Sequence, residues 1–261
     1  MIDSPLMTVM TDAVFKASRT LKRDFGEVEN LQVSRKGPGD FVSNADRRAE
    51  ATLREALEKA RPGYSFVMEE QGVVEGTDKA NCWHIDPLDG TTNFLHGIPH
   101  FAVSVGLERD GKMIAGVVYD PIKDELFIAE RGKGAFLNNR RIRVAIRRDF
   151  ADTVIACGLP GLAGENHPLF LKEARKVMDR AAGLRRMGAA SLDMAYVACG
   201  RLDGYWERGP HSWDVAAGVV IVREAGGFVT DAGGGDKIFE TRSVVCGNEY
   251  VHQELLKLLK A

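Results

Sequence analysis

The sequence predicts a mixed fold, α+β in its first half and α/β in its second, packed as one unit. Three observations predict it. The first half holds two amphipathic helical stretches followed by short β-type runs separated by hairpin turns. From about Arg143 onward, strand-like pieces alternate with helical ones. No Pro/Ser-rich linker, internal repeat or low-complexity tract lies between the halves, so a division into 1–145 and 146–261 marks a change of texture within one packed body.

The elements follow in chain order. Leu6, Val9, Met10, Ala13, Ala17, Leu21 and Phe25 recur every three or four positions and predict a helix lying on a core. A second helix runs from about Asp46 to Lys59, with Pro62-Gly63 stopping it. Strands are expected at Ser65 to Met68, Cys82 to Ile85, Phe101 to Glu108, Met113 to Tyr119, Leu126 to Ala129 and Ala135 to Leu137. Asp110-Gly111, Pro121 and Asn138-Asn139 supply turns, so these runs read as an antiparallel meander. Further strands are expected at Thr153 to Cys157, Leu184 to Met187, Gly204 to Trp206, Phe228 to Thr230 and Val244 to Cys246. Helices are expected at Leu169 to Ala182, Ala190 to Cys199, Trp213 to Ala225 and Tyr250 to Leu259. The stretch "WDVAAGVVIVREAGG" is apolar almost all round and should be buried between layers.

Composition narrows the function classes. With 35 basic against 37 acidic residues and a formal charge of −2, no net field draws the chain to nucleic acid or an anionic membrane. Any such partner needs a local patch, and the sequence offers one in "RRIRVAIRR", five arginines between Arg140 and Arg148. It lacks interleaved aromatics for base stacking and reads first as a solvated strand face. The four cysteines show no CxxC spacing and read as reduced core thiols of a cytoplasmic protein. No run of 18 apolar residues occurs, and the N-terminus lacks the pattern of an export signal. The histidines show no metal-ligand spacing: His84 and His96 read as packed or hydrogen-bonded, and His211 as support for the helix carrying Asp214.

The chemistry concentrates in "WHIDPLDGTTNF", which sets Asp86 and Asp89 three apart, in the turn expected beyond an apolar strand. Two carboxylates that close repel unless a cation lies between them. Asp89 alone could cap a helix beginning near Thr91, but that leaves Asp86 unexplained. Glu69-Glu70 likewise follows a strand, and Asp214 sits in the first turn of an apolar helix, where the helix dipole favours it. Strand ends and helix starts are where sheet-based folds gather side chains around a cleft. All these candidate ligands are oxygens, which suits a hard cation such as Mg2+. Gly90-Thr91-Thr92 offers the close backbone approach, free amides and hydroxyls that a phosphate needs. The run "DAGGGDK" leads into no convincing helix and reads as a loop.

"DPLDGTTNF" followed some 120 residues later by "WDVAAGVVIVREAGG", with "EE" upstream, resembles the inositol monophosphatase family of Mg2+-dependent, lithium-sensitive phosphatases. The resemblance spans nearly the whole chain, from Lys36 and "DFVSNAD" through "ERGKGAFLNNRRI" to the final strand. It implies a layered αβαβα sandwich, as in the inositol monophosphatase and fructose-1,6-bisphosphatase superfamily, and a homodimer. It also implies two or three Mg2+ ions per site. Glu69, Asp86 and the Leu88 carbonyl resemble ligands of the first; Asp86, Asp89 and Asp214 resemble those of the second; a weaker third would lie near Glu69. Thr91 with Asp46 resembles the pair that orients and deprotonates the attacking water, although Ser43 to Asp46 is also a capping-box pattern. The Gly90 and Thr91 amides would hold phosphate, with Leu88, Asp89 and Asp214 beside it. Glu207 and the turn Gly188-Ala189-Ala190 resemble positions that touch substrate hydroxyls, and Lys36 a loop lysine near the site.

The sequence departs from the family pattern at two places. Ala189 stands where many relatives carry Thr or Ser, and Ser212 where the animal enzymes carry Cys. Nucleotide-phosphate and many histidinol-phosphate phosphatases of the superfamily carry a basic residue after "DGT", where this chain has Thr92. The expectation is therefore a phosphatase of inositol monophosphate and similar polyol phosphates. The rival within the superfamily is a fructose-1,6-bisphosphatase-type or other sugar or nucleotide phosphatase. The rival of a different class is a regulatory binding partner of the transcription and RNA machinery.

Overall fold

The computed structural model describes residues 4–25, 33–37, 40–161 and 167–260, of which 33–37 and 40–43 are described as backbone only. The side chains of Lys36 and Ser43, to which a site lysine and a helix cap are assigned from sequence, lie outside the described side chains. Helices α1 (Pro5–Phe25) and α2 (Asn44–Ala60) flank a hairpin of β1 (Val33–Gly37) and β2 (Asp40–Ser43). Of the apolar positions read from the sequence, α1 buries Met10, Ala13, Ala17 and Leu21, whereas Leu6, Val9 and Phe25 are partly buried; Met7 and Val14 complete the buried stripe.

Eight strands form the larger sheet: β3 (Tyr64–Met68), β4 (Gly72–Val74), β5 (Asp78–Asp89), β6 (Ala102–Arg109), β7 (Lys112–Asp120), β8 (Glu125–Glu130), β9 (Gly134–Leu137) and β10 (Arg140–Arg141). Their order is β10-β9-β8-β7-β6-β5-β3-β4. From β5 to β10 the sheet is the expected antiparallel meander, with Asp110-Gly111 and Asn138-Asn139 both at positive φ in two of its turns. The strand β3, however, runs parallel to β5, which brings their C-terminal ends side by side. Two expectations are corrected. Asp86 and Asp89 do not lie beyond the strand: β5 continues through both, with a bulge between them. The arginine run forms a strand only at Arg140–Arg141, and 142–149 has no regular structure, because the chain there crosses to the second sheet.

That second sheet has the order β12-β11-β13-β15-β14, from β11 (Val154–Cys157), β12 (Gly183–Arg185), β13 (Gly204–Arg208), β14 (Phe228–Thr230) and β15 (Ser243–Gly247). β11 is parallel to β12 and β13, whereas β15 is antiparallel to its neighbours. The helices are α3 (Thr91–Leu95), α4 (His167–Met178), α5 (Ala190–Ala198), α6 (Ser212–Glu224), α7 (Ile238–Thr241) and α8 (Glu249–Leu259). α1 and α2 cover one face of the large sheet, α5 and α6 lie between the sheets, and α4 and α8 cover the far face of the small one. This is the layered αβαβα sandwich.

The apolar helix α6 is central, as its composition requires. Val215 to Val222 are all buried. It approaches the large sheet at Gly106 and Gly116, which face each other across β6 and β7. A Cβ on Gly116 would come 2.4 Å from the Ala217 carbonyl oxygen, and one on Gly106 2.8 Å from the Ala216 Cβ. Two glycines in register thus make the slot that seats α6 and sets the height of its first turn.

Candidate active site

The acidic residues arrive from four directions. The parallel pair β3 and β5 ends in Glu69 and Asp86; the Glu69 amide donates to the Ile85 carbonyl at 3.3 Å. Carboxyl ends of parallel strands are where α/β sheets build binding crevices. On a plain strand, residues three apart face opposite sides. The bulge adds one residue on β5 between the pairs Asp86↔Ser104 and Asp89↔Ala102, so that Asp86 and Asp89 come within reach of each other's charge. Asp86 Oδ1 accepts from the Leu88 amide at 2.9 Å. Asp214, in the first turn of α6, accepts from the His211 amide at 2.6 Å.

Burial pushes the Asp86 carboxyl well above the usual range, and the charges of Glu69, Asp89 and Asp214 push it further. Asp214 is raised in the same way, by burial and then by Glu207 and Asp89. Asp89 is raised by burial too, though its hydrogen bonds from Ser191 work against the rise. Among the described residues, Lys and Arg form no ion pair with these three aspartates. The carboxylates are gathered without converging on one point: among the described residues, no three His, Cys, Asp or Glu side chains stand close enough to hold an ion as they are.

Asp89 is a helix cap, but of a different helix from the one expected. The N-cap of α3 is Gly90, at φ 97° with no side-chain cap. The Asp89 oxygens instead accept from the Ala190 amide (3.2 Å), the Ser191 amide (2.7 Å) and the Ser191 hydroxyl (2.5 Å), at the start of α5. The positive φ at Gly90 and its close approach to the His100 and Gly188 carbonyls, 3.1 and 3.3 Å from a Cβ placed there, favour glycine at this position. Asn93 completes the stitch by donating to the His100 carbonyl (2.8 Å) and the Met187 carbonyl (2.9 Å). Gly90, Gly188, Ala189 and Ala190 are thereby brought together.

The Thr91 hydroxyl lies 3.0 Å from Asp46 Oδ1 and 3.1 Å from the Leu88 carbonyl oxygen, with Asp46 fully buried at the start of α2. The same helix steadies Glu69: the buried Glu50, one turn on, accepts from the Glu70 amide (2.8 Å) and the Gln71 amide (3.0 Å). Glu207, on β13, rests against Gly158 and accepts from the Tyr205 hydroxyl. Burial lifts its carboxyl to about 7, with the Asp89 charge adding to the rise and Tyr205 and Arg186 opposing it. A cavity of about 180 Å³ lies between Asp89, Glu207, Asp214 and the Gly188–Ala190 turn.

Of the sequence-predicted site residues, Asp89, Gly188, Ala189, Ala190, Glu207 and Asp214 line this cavity; Thr91, Asp46 and the Leu88 carbonyl form a separate hydrogen-bonded group, and Glu69 lies at the strand end beside Asp86. Sequence reasoning missed Glu50, Asn93, Ser191 and Asp193. Asp193 lines the cavity with 1% exposure, and among the described residues its Oδ1 has no hydrogen-bond partner. The available signal for Ser191 was a hydroxyl at a helix start, and for Asn93 an amide beside the Gly-Thr-Thr turn. His84 is packed and hydrogen-bonded as expected, whereas His96 is exposed. All four cysteines are free.

Comparisons with known proteins agree with this architecture. The Inositol monophosphatase family model matches residues 3–261. The chain is 58% identical over 260 residues to an inositol-1-monophosphatase of Mesorhizobium japonicum, covering 100% of this chain and 98% of that one. It is 42% identical to the Nus factor SuhB of Escherichia coli K12, covering 97% and 94%. The crystal structure of the extragenic suppressor protein suhB from Bartonella henselae superposes with a TM-score of 0.96 at 55% identity, covering 98% of this chain and 99% of that chain. A match that begins at the third residue and runs to the last, on the same layered fold, makes this chain a member of the inositol monophosphatase family and a phosphatase of that family.

Proposed function

We propose that the protein hydrolyses inositol monophosphate and related polyol phosphates to the free alcohol and phosphate, using Mg2+. The observation that carries this reading is the Thr91 hydroxyl held 3.0 Å from the buried Asp46 carboxylate, next to aspartates without a Lys or Arg partner among the described residues. The donor set fits a hard cation. Its side-chain donors are all carboxylate oxygens, and the groups whose charges oppose one another in the bare chain are those a dication would hold ionised. Glu69, Asp86 and the Leu88 carbonyl would hold one ion, Asp86, Asp89 and Asp214 a second, and Glu69 would stand beside a third.

Bound Mg2+ would supply Lewis-acid charge at the phosphate and lower the pKa of water from about 16 towards neutrality. The chain's own part is positioning and proton transfer. Asp46 accepts the Thr91 hydrogen bond, fixes that hydroxyl's direction, and takes the proton of the attacking water through it. The Gly90 and Thr91 amides face the phosphate, with Leu88, Asp89 and Asp214 around it. Glu207 and the Gly188-Ala189-Ala190 turn contact the hydroxyls of the alcohol, and with no hydroxyl at Ala189 the contact there falls to the backbone. No side-chain nucleophile is required. The reading carries with it a homodimer in the cytoplasm, which sedimentation and fractionation check; among the described residues, no helix is long and apolar enough to cross a membrane.

The test is kcat/KM across inositol 1-phosphate, glycerol 2-phosphate, fructose 1,6-bisphosphate, histidinol phosphate and adenosine 3′,5′-bisphosphate, with Mg2+, with EDTA and with millimolar lithium. Inositol 1-phosphate is expected to lead, with EDTA abolishing turnover and lithium inhibiting it. Full turnover in EDTA would sink the metal reading, and a preference for fructose 1,6-bisphosphate would hand the substrate to the superfamily rival. A second reading, a docking role on the RNA or transcription machinery, is favoured by the name Nus factor carried by the Escherichia coli relative and by the exposed Arg140, Arg141 and Arg143. Salt-independent or absent RNA binding would remove it.

A further inference from the structure

His84 is buried on β5, two residues before Asp86, and the mechanism above makes no use of it. Its ring bridges two elements that the sequence keeps far apart. Nε2 lies 3.1 Å from Glu108 Oε2 on β6, and Nδ1 lies 2.9 Å from Ser212 Oγ, on the first residue of α6. Phe239 stacks on the ring, with centroids 5.4 Å apart and planes at 28°. The bond from His84 is the foremost cause that holds the Glu108 carboxyl below its ordinary value, so Glu108 is the acceptor. The other ring nitrogen, Nδ1, makes the bond to the Ser212 hydroxyl, so both ring nitrogens are engaged. The three side chains form one chain of bonds from helix to strand to strand.

The place where this chain of bonds ends matters. Ser212 is two residues from Asp214, and the residue opposite His84 across the ladder is Gly106, half of the slot that seats α6. The first turn of a helix is where fraying begins. Here that turn also carries a carboxylate that repels Asp89, Glu69 and Glu207. Asp214 thus stands among like charges from both sheets, and the His84 bridge ties the start of α6 to β5. We infer that Glu108, His84 and Ser212 form a brace that positions Asp214 for metal binding, His84 and Ser212 acting as positioning residues. This rests on the proposed metal site. Its acceptor–imidazole–hydroxyl pattern is that of a partner group that orients a metal ligand from behind, here through two residues of helix backbone.

The experiment compares the full-length protein with Ser212→Ala, Ser212→Thr, His84→Phe and the double variant Ser212→Ala/His84→Phe. Phe keeps the stack on Phe239 and removes both ring hydrogen bonds. Mg2+ binding is measured by calorimetry, alongside kcat and KM for inositol 1-phosphate at saturating Mg2+ and the melting temperature of the metal-free protein. Ser212→Ala and His84→Phe are each expected to weaken Mg2+ binding by about tenfold, leaving KM within about twofold. Ser212→Thr is expected to restore binding, and the double variant to lose no more than either single one, because one chain of bonds is broken in each case. Unchanged Mg2+ affinity in Ser212→Ala overturns the brace, as does a double variant whose losses multiply. A lower melting temperature with intact Mg2+ binding also overturns it, since that is a stabilising contact without a positioning role. No Mg2+ binding by the unaltered protein overturns the metal reading itself, a result distinguishable from all of these.

Discussion

The carboxylate of Asp89, at the bulged end of a strand in the large sheet, caps α5, which begins about a hundred residues later at Ala190, receiving both the amide and the hydroxyl of Ser191. One side chain thereby ties the large sheet to α5, and the bonds it receives oppose the rise that burial imposes on its carboxyl. Ser191→Ala removes the hydroxyl and leaves the amide. A hydrogen bond to a charged group contributes about 1.5–3 kcal/mol, so the melting temperature should fall by several degrees. Mg2+ affinity should fall modestly, because the Asp89 pKa rises further without Ser191. Calorimetry and thermal denaturation check both; a variant identical to the parent would mean that the hydroxyl bond is idle.

Asp86→Asn and Thr91→Ala should differ in kind. The first keeps shape but removes one negative charge from the centre of the acidic group. It should nearly abolish activity and weaken Mg2+ binding, while leaving the metal-free protein as stable as before or slightly more so, because burial and neighbouring charges already penalise that carboxylate. The second leaves the acids in place and removes the hydroxyl next to Asp46. It should bind Mg2+ almost normally and lose about 10²–10⁴ in kcat. Parent-like Mg2+ binding by Asp86→Asn would exclude Asp86 as a shared ligand.

Glu207 predicts a pH signature in the metal-free protein. Its folded value of about 7 lies above the ordinary 4.5, so its contribution to stability is fully present below about 4.5 and is lost as pH rises through 7. Glu207→Gln stays neutral throughout. The melting temperature of Glu207→Gln minus that of the parent, measured in chelator, should be near zero at low pH, grow between about 4.5 and 7, and level off above. A difference that does not vary with pH would show that Glu207 is ionised in the fold like any surface glutamate.

Gly116→Ala tests the seating of α6. The added Cβ would stand 2.4 Å from the Ala217 carbonyl oxygen, and backbone on both sides cannot give way cheaply. Overpacking of this kind costs about 1–3 kcal/mol, which corresponds to a fall of roughly 2–12 °C in a chain of this size. Since α6 carries Asp214, Mg2+ affinity should drop as well. A control at Gly161, where a Cβ meets nothing within 4 Å and φ is not positive, isolates crowding from the glycine-to-alanine change itself.

The sequence by itself determined most of the elements and the residue types that gather at the candidate site. Periodicity placed α1 and α2 because burial of one helical stripe is a local property of the pattern. The same holds for α6, whose all-round apolarity allows only an interior position, and for the Asn138-Asn139 turn, whose residue types tolerate positive φ. The types of Glu69, Asp86, Asp89 and Asp214 pointed to a hard cation before any geometry, because oxygen donors and like charges state that preference wherever they meet. The tertiary structure alone decided how those residues meet. Whether β5 stops before Asp86 or bulges through Asp89 depends on its pairing with Ser104 and Ala102, and no local signal carries a partner's register. Which helix Asp89 caps was equally hidden: the nearest start, α3, is closed by Gly90, and the free amides belong to α5, brought there by the stacking of one sheet on the other. Nothing local marked Glu50, and His84 read only as packed or hydrogen-bonded, for the same reason. Their partners, the Glu70 and Gln71 amides and the Ser212 hydroxyl, lie 20 to 128 residues away, at distances that only the packed layers close.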